Sequence, residues 1–249
     1  MSHRFAAALL LAVAAASPLS AQNVTYSQGT FEPSQWSFSN ITRSGPVSGT
    51  EQLVGTGGNP GSHWLHTFSI EMAGGTNRYR VANINNTFTY DPRVNGALAS
   101  LNFSFDLIGF NSVGFAELFF GVYVPTLRQN GLYFFLPDGA LDPTTRSWST
   151  LSVSSSSSEN WRDPNNQDGS LRPDFSAAGT TMEFGYIMSG GTGCPVGLTC
   201  GAASFSSGLD NFSVTANTVS TVPEPSTYAL MAAGLGVLML VQRRRRLSA

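Results

Sequence analysis

Charge is what this sequence has least of, with 11% of its residues Asp, Glu, Lys or Arg. Between Gln22 and Val222 there is no lysine at all, and eight arginines stand against fourteen carboxylates, a net of −6. Such a surface repels phosphate backbones and anionic headgroups, and no basic patch interleaved with aromatics occurs, so nucleic acid is excluded as a partner. Cysteine is scarce as well. Cys194 and Cys200 would need His63 and His66, the histidines of this span, to complete a zinc site, and the spacing fits no usual zinc module. In a strand, His63 and His66 would also face opposite sides. Long stretches of helical period are missing, which leaves strands as the material of the body. Also missing are the Gly-x-Ser-x-Gly elbow, His-Glu-x-x-His, a phosphate loop and a dinucleotide fingerprint, and with them the readiest signs of an enzyme.

What is present is apolar and aromatic: 41% and 11% of the 249 residues, a globular rather than a disordered balance. The apolar residues alternate in short runs punctuated by Gly, Pro, Asn and Asp. Leu101, Phe103, Phe105 and Leu107 share one face of such a run, and Met182, Phe184, Tyr186 and Met188 share one face of another. Further strands are expected at 36–41, 64–72, 79–83, 87–90, 116–124, 132–136, 148–153 and 212–215. The near-continuous apolar runs 118–124 and 132–136 point to central strands covered on both faces. About ten short strands with turn-like gaps predict an all-β fold, a β-sandwich of jelly-roll type. The serine run 152–158 is expected on an exposed strand edge or loop, and the Gly-rich segment 189–207, which holds both cysteines, as a long loop.

Both ends read as processing segments. Residues 1–21 form a signal helix, with Arg4 before an apolar stretch at 5–16 and Leu19-Ser20-Ala21 as the cleavage site. At the other end Pro223-Glu224-Pro225 precedes an apolar stretch at 227–241 and the basic run Arg243, Arg244, Arg245 and Arg246. Fifteen helical residues rise about 22 Å, so the stretch makes a short transmembrane helix in a core of about 30 Å. The arginines hold their end on the cytoplasmic side as a stop. The prolines keep the peptide before the helix extended and open to a protease.

This order of parts resembles the PEP-CTERM sorting domain. The resemblance covers 222–249 and implies export by the secretion machinery, then an exosortase-like membrane enzyme as partner, in a Gram-negative bacterium that makes exopolysaccharide. The expected division is therefore a signal peptide at 1–21, a β-sandwich surface domain at 22–221 and the sorting tail at 222–249. Before processing, the tail's helix would bring the membrane itself into contact.

Export makes Cys194 and Cys200 an expected disulfide. Gly208-Leu209-Asp210-Asn211-Phe212 resembles the closing strand of carbohydrate-binding-module-like jelly rolls, with Gly29-Thr30-Phe31-Glu32 as its companion near the start. That resemblance implies a structural Ca²⁺ held by Asp210 and Glu32; the alternative is that Asp210-Asn211 shapes a turn. Sugar stacking would need an exposed aromatic, and Trp161, between Asn160 and Arg162-Asp163, has the most polar setting, ahead of Trp148 and Tyr90. Glu71, Glu117 and Glu183 lie within or beside expected strands but form no closely spaced glycosidase signature. The reading is a non-catalytic module of the cell envelope or extracellular matrix, associated with exopolysaccharide or biofilm. The alternatives are a polysaccharide-active enzyme on a sandwich fold and a purely structural surface protein.

Overall fold

A computed structural model describes residues 23–45, 47–70, 75–113, 122–135, 146–166, 168–194 and 201–219, together with 233–236 and 243 near the C-terminus. The signal peptide, Pro223-Glu224-Pro225, Arg244 to Arg246, Glu71, Glu117 and Cys200 lie outside these residues, as does the pairing of Cys194 with Cys200. The β body spans Asn23–Thr218. Among the described residues no helix is long and apolar enough to cross a membrane. Of the apolar run 227–241, only one helical turn at 233–236 is described.

Twelve strands make up the described body: β1 (Val24–Gln28), β2 (Trp36–Ser44), β3 (Val47–Gly58), β4 (Gly61–Ile70), β5 (Gly75–Tyr90), β6 (Leu98–Val113), β7 (Val122–Arg128), β8 (Leu132–Phe135), β9 (Ser149–Ser155), β10 (Trp161–Arg162), β11 (Met182–Cys194) and β12 (Ala203–Thr218). They pair antiparallel in two sheets. The first runs β3-β4-β12-β6-β9 and the second β10-β8-β7-β11-β5-β2. In the first, β12 is long enough to take two partners on one edge, β4 along Ala203–Leu209 and β1 along Phe212–Ala216. This is the expected β-sandwich, and strand alternation explains its core: Leu101, Phe103, Phe105 and Leu107 of β6 meet Met182, Phe184, Tyr186 and Met188 of β11 in one buried cluster. Phe212 sits among the rings of Trp36, Phe88, Phe103, Phe105 and Tyr186 at centroid distances of 5.5–6.3 Å. The area removed from water by these rings is the main force joining the sheets.

Two expectations about chain segments resolve differently. Ser149–Ser155 is an edge strand, so the serine run begins on an exposed edge as expected. The segment 189–207 is not one long loop, because β11 continues to Cys194 and β12 begins at Ala203. Gly190 and Gly191 are strand residues pressed against neighbours: a Cβ on Gly190 would lie 2.6 Å from the Phe68 ring. Glycine there admits a large ring from the facing sheet rather than breaking the strand.

Candidate functional site

Most of the chemistry-bearing residues converge on the outer face of the first sheet. On β6 the outward residues are Asn102, Ser104, Asp106 and Ile108, since Leu101, Phe103, Phe105 and Leu107 point inward. Register extends these positions into rows across the sheet. One row runs Thr25, Thr215, Asn102, Ser154, and the next Ser27, Ser213, Ser104, Ser152. Side chains within the rows bond to one another: Thr25 Oγ1 to Thr215 Oγ1 at 2.9 Å, Ser152 Oγ to Ser104 Oγ at 3.2 Å, and Ser154 Oγ to Asn102 Oδ1 at 2.6 Å. The result is an uncharged carpet of hydroxyls and carboxamides around a shallow depression of about 350 Å³.

Beyond the carpet the register pairs Asp210 with Asp106. The resemblance singled out Asp210 but not Asp106; both are buried, Asp210 wholly so. The Asp210-Asn211 step is not a turn but a bulge inside β12, with Asn211 in the left-handed region at φ 49°, and it lets Leu209 and Phe212 both face the core. The tip of the β3–β4 hairpin closes over the two carboxylates. Asn59 N donates to Asp210 Oδ2 at 2.5 Å and Asn211 N to Asp210 Oδ1 at 2.7 Å. The carboxamides of Asn59 and Asn211 both donate to Asp106 Oδ2, at 3.0 and 2.7 Å. Burial, then the neighbouring charge of Asp106, raises the Asp210 carboxyl above its ordinary value, against the pull of the two backbone N–H groups.

This environment does not fit the expected calcium site. A hard cation needs converging oxygens, whereas N–H donors meet both oxygens of Asp210. Glu32 lies exposed before the turn Pro33–Gln35, where Ser34 Oγ donates to it. Among the described residues no three carboxylate, imidazole or thiol groups are grouped to hold a metal. The pair acts instead as a hydrogen-bonded clamp on the hairpin tip. Asp210→Ala should lower the stability of the mature chain by roughly 2 kcal/mol, the loss of charge-assisted bonds offset in part by relief of the Asp106 repulsion. Melting curves with and without a calcium chelator check this, and the midpoint of the parent chain should be the same in both. A chelator-induced fall that Asp210→Ala abolishes would restore the cation.

Past the clamp, three rings cover the same face. His63 lies 5.3 Å from Phe110 and 5.5 Å from Trp148, and Trp148 Nε1 donates to Gly57 O. They close over Gly208, where a Cβ would come within 2.8–2.9 Å of Ile108, Phe110 and Trp148. Trp148 is therefore a half-buried aromatic at the edge of the polar carpet. Trp161 is not exposed at all, contrary to the expectation from its polar neighbours. It is 0% exposed, packed on Phe103, Phe135 and Phe175, with its N–H on Ser155 Oγ at 2.9 Å. Alternation sends Arg162 outward and Trp161 inward, so it presents no face to a sugar. Tyr90 is likewise buried and donates to Gly96 O at 2.6 Å.

The sandwich interior holds a polar row that sequence reasoning missed. Glu51 of β3, His66 of β4 and Ser207 of β12 are successive cross-strand partners. They resemble a nucleophilic triad only in order. Ser207 Oγ is bonded to Tyr123 OH at 2.5 Å, His66 Nε2 to Tyr186 OH at 2.9 Å, and Glu51 accepts from Tyr79 OH at 3.2 Å. His66 and Ser207 are 0% exposed, so no substrate reaches them. His63 and His66 do face opposite sides, and both are buried. Glu183, on the outer face of the second sheet, is held in an ion pair by Arg128.

Residues 221–246 match the PEP-CTERM protein-sorting motif. The chain thus carries the sorting tail of an exported surface protein. No curated protein sequence matches the chain. Among solved structures it is similar to the CBM22-1 xylan-binding domain of Xyn10C from Paenibacillus barcinonensis, at 12% identity and TM-score 0.36 over 82% of this chain and 99% of that one. It is also similar to the mannan-recognising carbohydrate-binding module TmCBM27, at 12% identity and TM-score 0.31 over 82% and 100%. The lectin UEA-II in complex with galactose is similar at 10% identity and TM-score 0.35, over 82% and 100%. Likenesses of this strength identify no ligand for the chain.

Proposed function

We propose that this is a non-catalytic envelope or matrix protein of a Gram-negative bacterium, released from its sorting tail by an exosortase and seated on neutral exopolysaccharide through the outer face of the first sheet. The sorting motif at 221–246 carries the reading, because it starts only three residues after β12 ends at Thr218. The β body ends where the address begins. The uncharged rows from Thr25 to Ser154 and from Ser27 to Ser152 support the contact, since hydroxyl and carboxamide groups match a glycan's own donors and acceptors. The body's net of −6 disfavours an anionic polymer. The buried, tyrosine-bonded Ser207 and His66 favour binding over catalysis.

One preparation tests both halves. Chain extracted from the cell surface should have an intact mass lacking Arg243 to Arg246, and the same chain should be retarded in gels containing the strain's neutral polysaccharide. Ser152→Glu places a charge in the carpet and should relieve the retardation without moving the melting midpoint. A mass that retains the four arginines in cells with active exosortase would refute the sorting half. Equal retardation of the parent and Ser152→Glu would refute the sheet-face half.

A further inference from the structure

The second sheet carries an apolar cluster on the side away from the core: Ala82, Val124, Phe134 and Ile187 are buried there, with Ile41, Val122 and Leu132 packed against them. These outward positions on β7 and β8 are why the sequence in that region is apolar without alternation. They form the floor of a cavity of about 190 Å³ between Phe134 and Pro164 on one side and Arg80 and Ser189 on the other. An apolar cavity of about 150 Å³ is large enough to take a benzene ring. This one has room for a ring and a small substituent.

The polar side of the cavity has one sign of charge. Arg80 and Ser189 are cross-strand partners on β5 and β11, which places a guanidinium and a hydroxyl side by side at the rim. The guanidinium is half-buried and has no hydrogen bond or ion pair among the described residues. Burial, then the like charge of Arg78 two residues along β5, holds the Arg80 pKa below its ordinary value. Among the described residues Asp163, next to Pro164 of the lining, accepts from the backbone N–H groups of Asn165 and Asn166 and forms no ion pair with Arg80. A partly desolvated cation without a counter-charge is unfavourable until an anion meets it. Sugars do not fit, because their hydroxyls would be stranded against Val122, Val124, Phe134 and Ile187.

The geometry points to a binding site for a compact apolar carboxylate, its ring or branched body on Val124 and Ile187 and its carboxylate on Arg80 and Ser189. This site is separate from the polar face of the first sheet and does not depend on the sorting reading. Benzoate is the probe, and benzyl alcohol, of nearly the same shape without the charge, is its control. A charge-assisted bond to a rim guanidinium contributes enough to favour benzoate by roughly tenfold in calorimetric titrations of the mature chain. Arg80→Gln should bring the two probes to equal affinity, and Val122→Phe should fill the cavity and abolish binding of both, each variant being checked for an unchanged melting midpoint. Binding of neither probe to the parent chain overturns the proposal. So does equal affinity for both, or a benzoate preference that survives in Arg80→Gln.

Discussion

Acidification from pH 6.5 to 4.5 should cost the body about 2 kcal/mol of stability through His66 alone. His66 is wholly enclosed, and burial first, then the charge of His63, pushes its pKa down to about 3. Its Nε2 is bonded to Tyr186 OH, and its Nδ1 has no hydrogen-bond partner among the described residues. A proton therefore has nowhere favourable to sit in the folded state. The folded pKa is depressed below the unfolded 6.5, so the neutral imidazole's contribution is fully present above pH 6.5. It is lost as pH falls from there toward 3, because the unfolded chain takes up the proton first. His63, also lowered by burial, acts in the same direction. Glu51 and Asp210 act the other way: burial raises both, so their protonation in the folded state adds stability as pH falls through their folded pKa. The whole protein will thus show a shallower slope than His66 alone, and a variant is needed to isolate it. His66→Gln keeps an amide that can reach Tyr186 and does not titrate. Denaturant midpoints of the parent and His66→Gln, measured across pH 4.5 to 7, should converge as pH falls. Parallel curves would mean that His66 is not held neutral by the fold.

The sandwich was legible in the sequence because its core strands alternate cleanly, and the sorting tail because its three parts stand in a fixed linear order. The strands that escaped notice hide their period. In β3 the inward positions are Val47, Gly49, Glu51 and Leu53, and two of the four are not apolar. The reason lies on β5, where the ring of Tyr79 occupies the space over Gly49 and its hydroxyl donates to Glu51. Likewise 79–83 and 87–90 look like two strands but are one, β5, with an irregularity where Asn85 pairs with Phe184 and Thr89 with Glu183. The outward position of Asp106 could be read from the alternation of β6. Its burial could not, because the cover comes from Asn59 at a hairpin tip 47 residues away. Pattern reports which side of a strand a residue takes, but long-range contacts decide whether that side is wet.

Replacing Trp161 by alanine should destabilise the body by about 3–5 kcal/mol, the range for deleting a large aromatic from a packed core. The sequence around it, Asn160, Arg162 and Asp163, favours an exposed ring suited to stacking on sugar. The two-residue strand β10 reverses this, because its pairing with β8 sets Trp161 opposite Phe135 and turns it inward. Phe103 lies 6.0 Å away, Phe135 5.8 Å and Phe175 6.3 Å by ring centroids, so the indole packs against three rings that its removal would leave facing a gap. The N–H adds a hydrogen-bonded relay, donating to Ser155 Oγ, which in turn donates to Ser157 O at 3.1 Å. Trp161→Phe keeps the ring contacts and leaves that acceptor unmet, for a loss nearer 1 kcal/mol. At the alanine cost the melting midpoint should fall by roughly 10 °C for a body of this size. A stacking residue would behave in the opposite way, with polysaccharide retention lost in Trp161→Ala and the midpoint unmoved. That outcome would return Trp161 to the surface. The fold instead requires the midpoint to fall in the order parent, Trp161→Phe, Trp161→Ala, with retention unchanged at temperatures where each variant is folded.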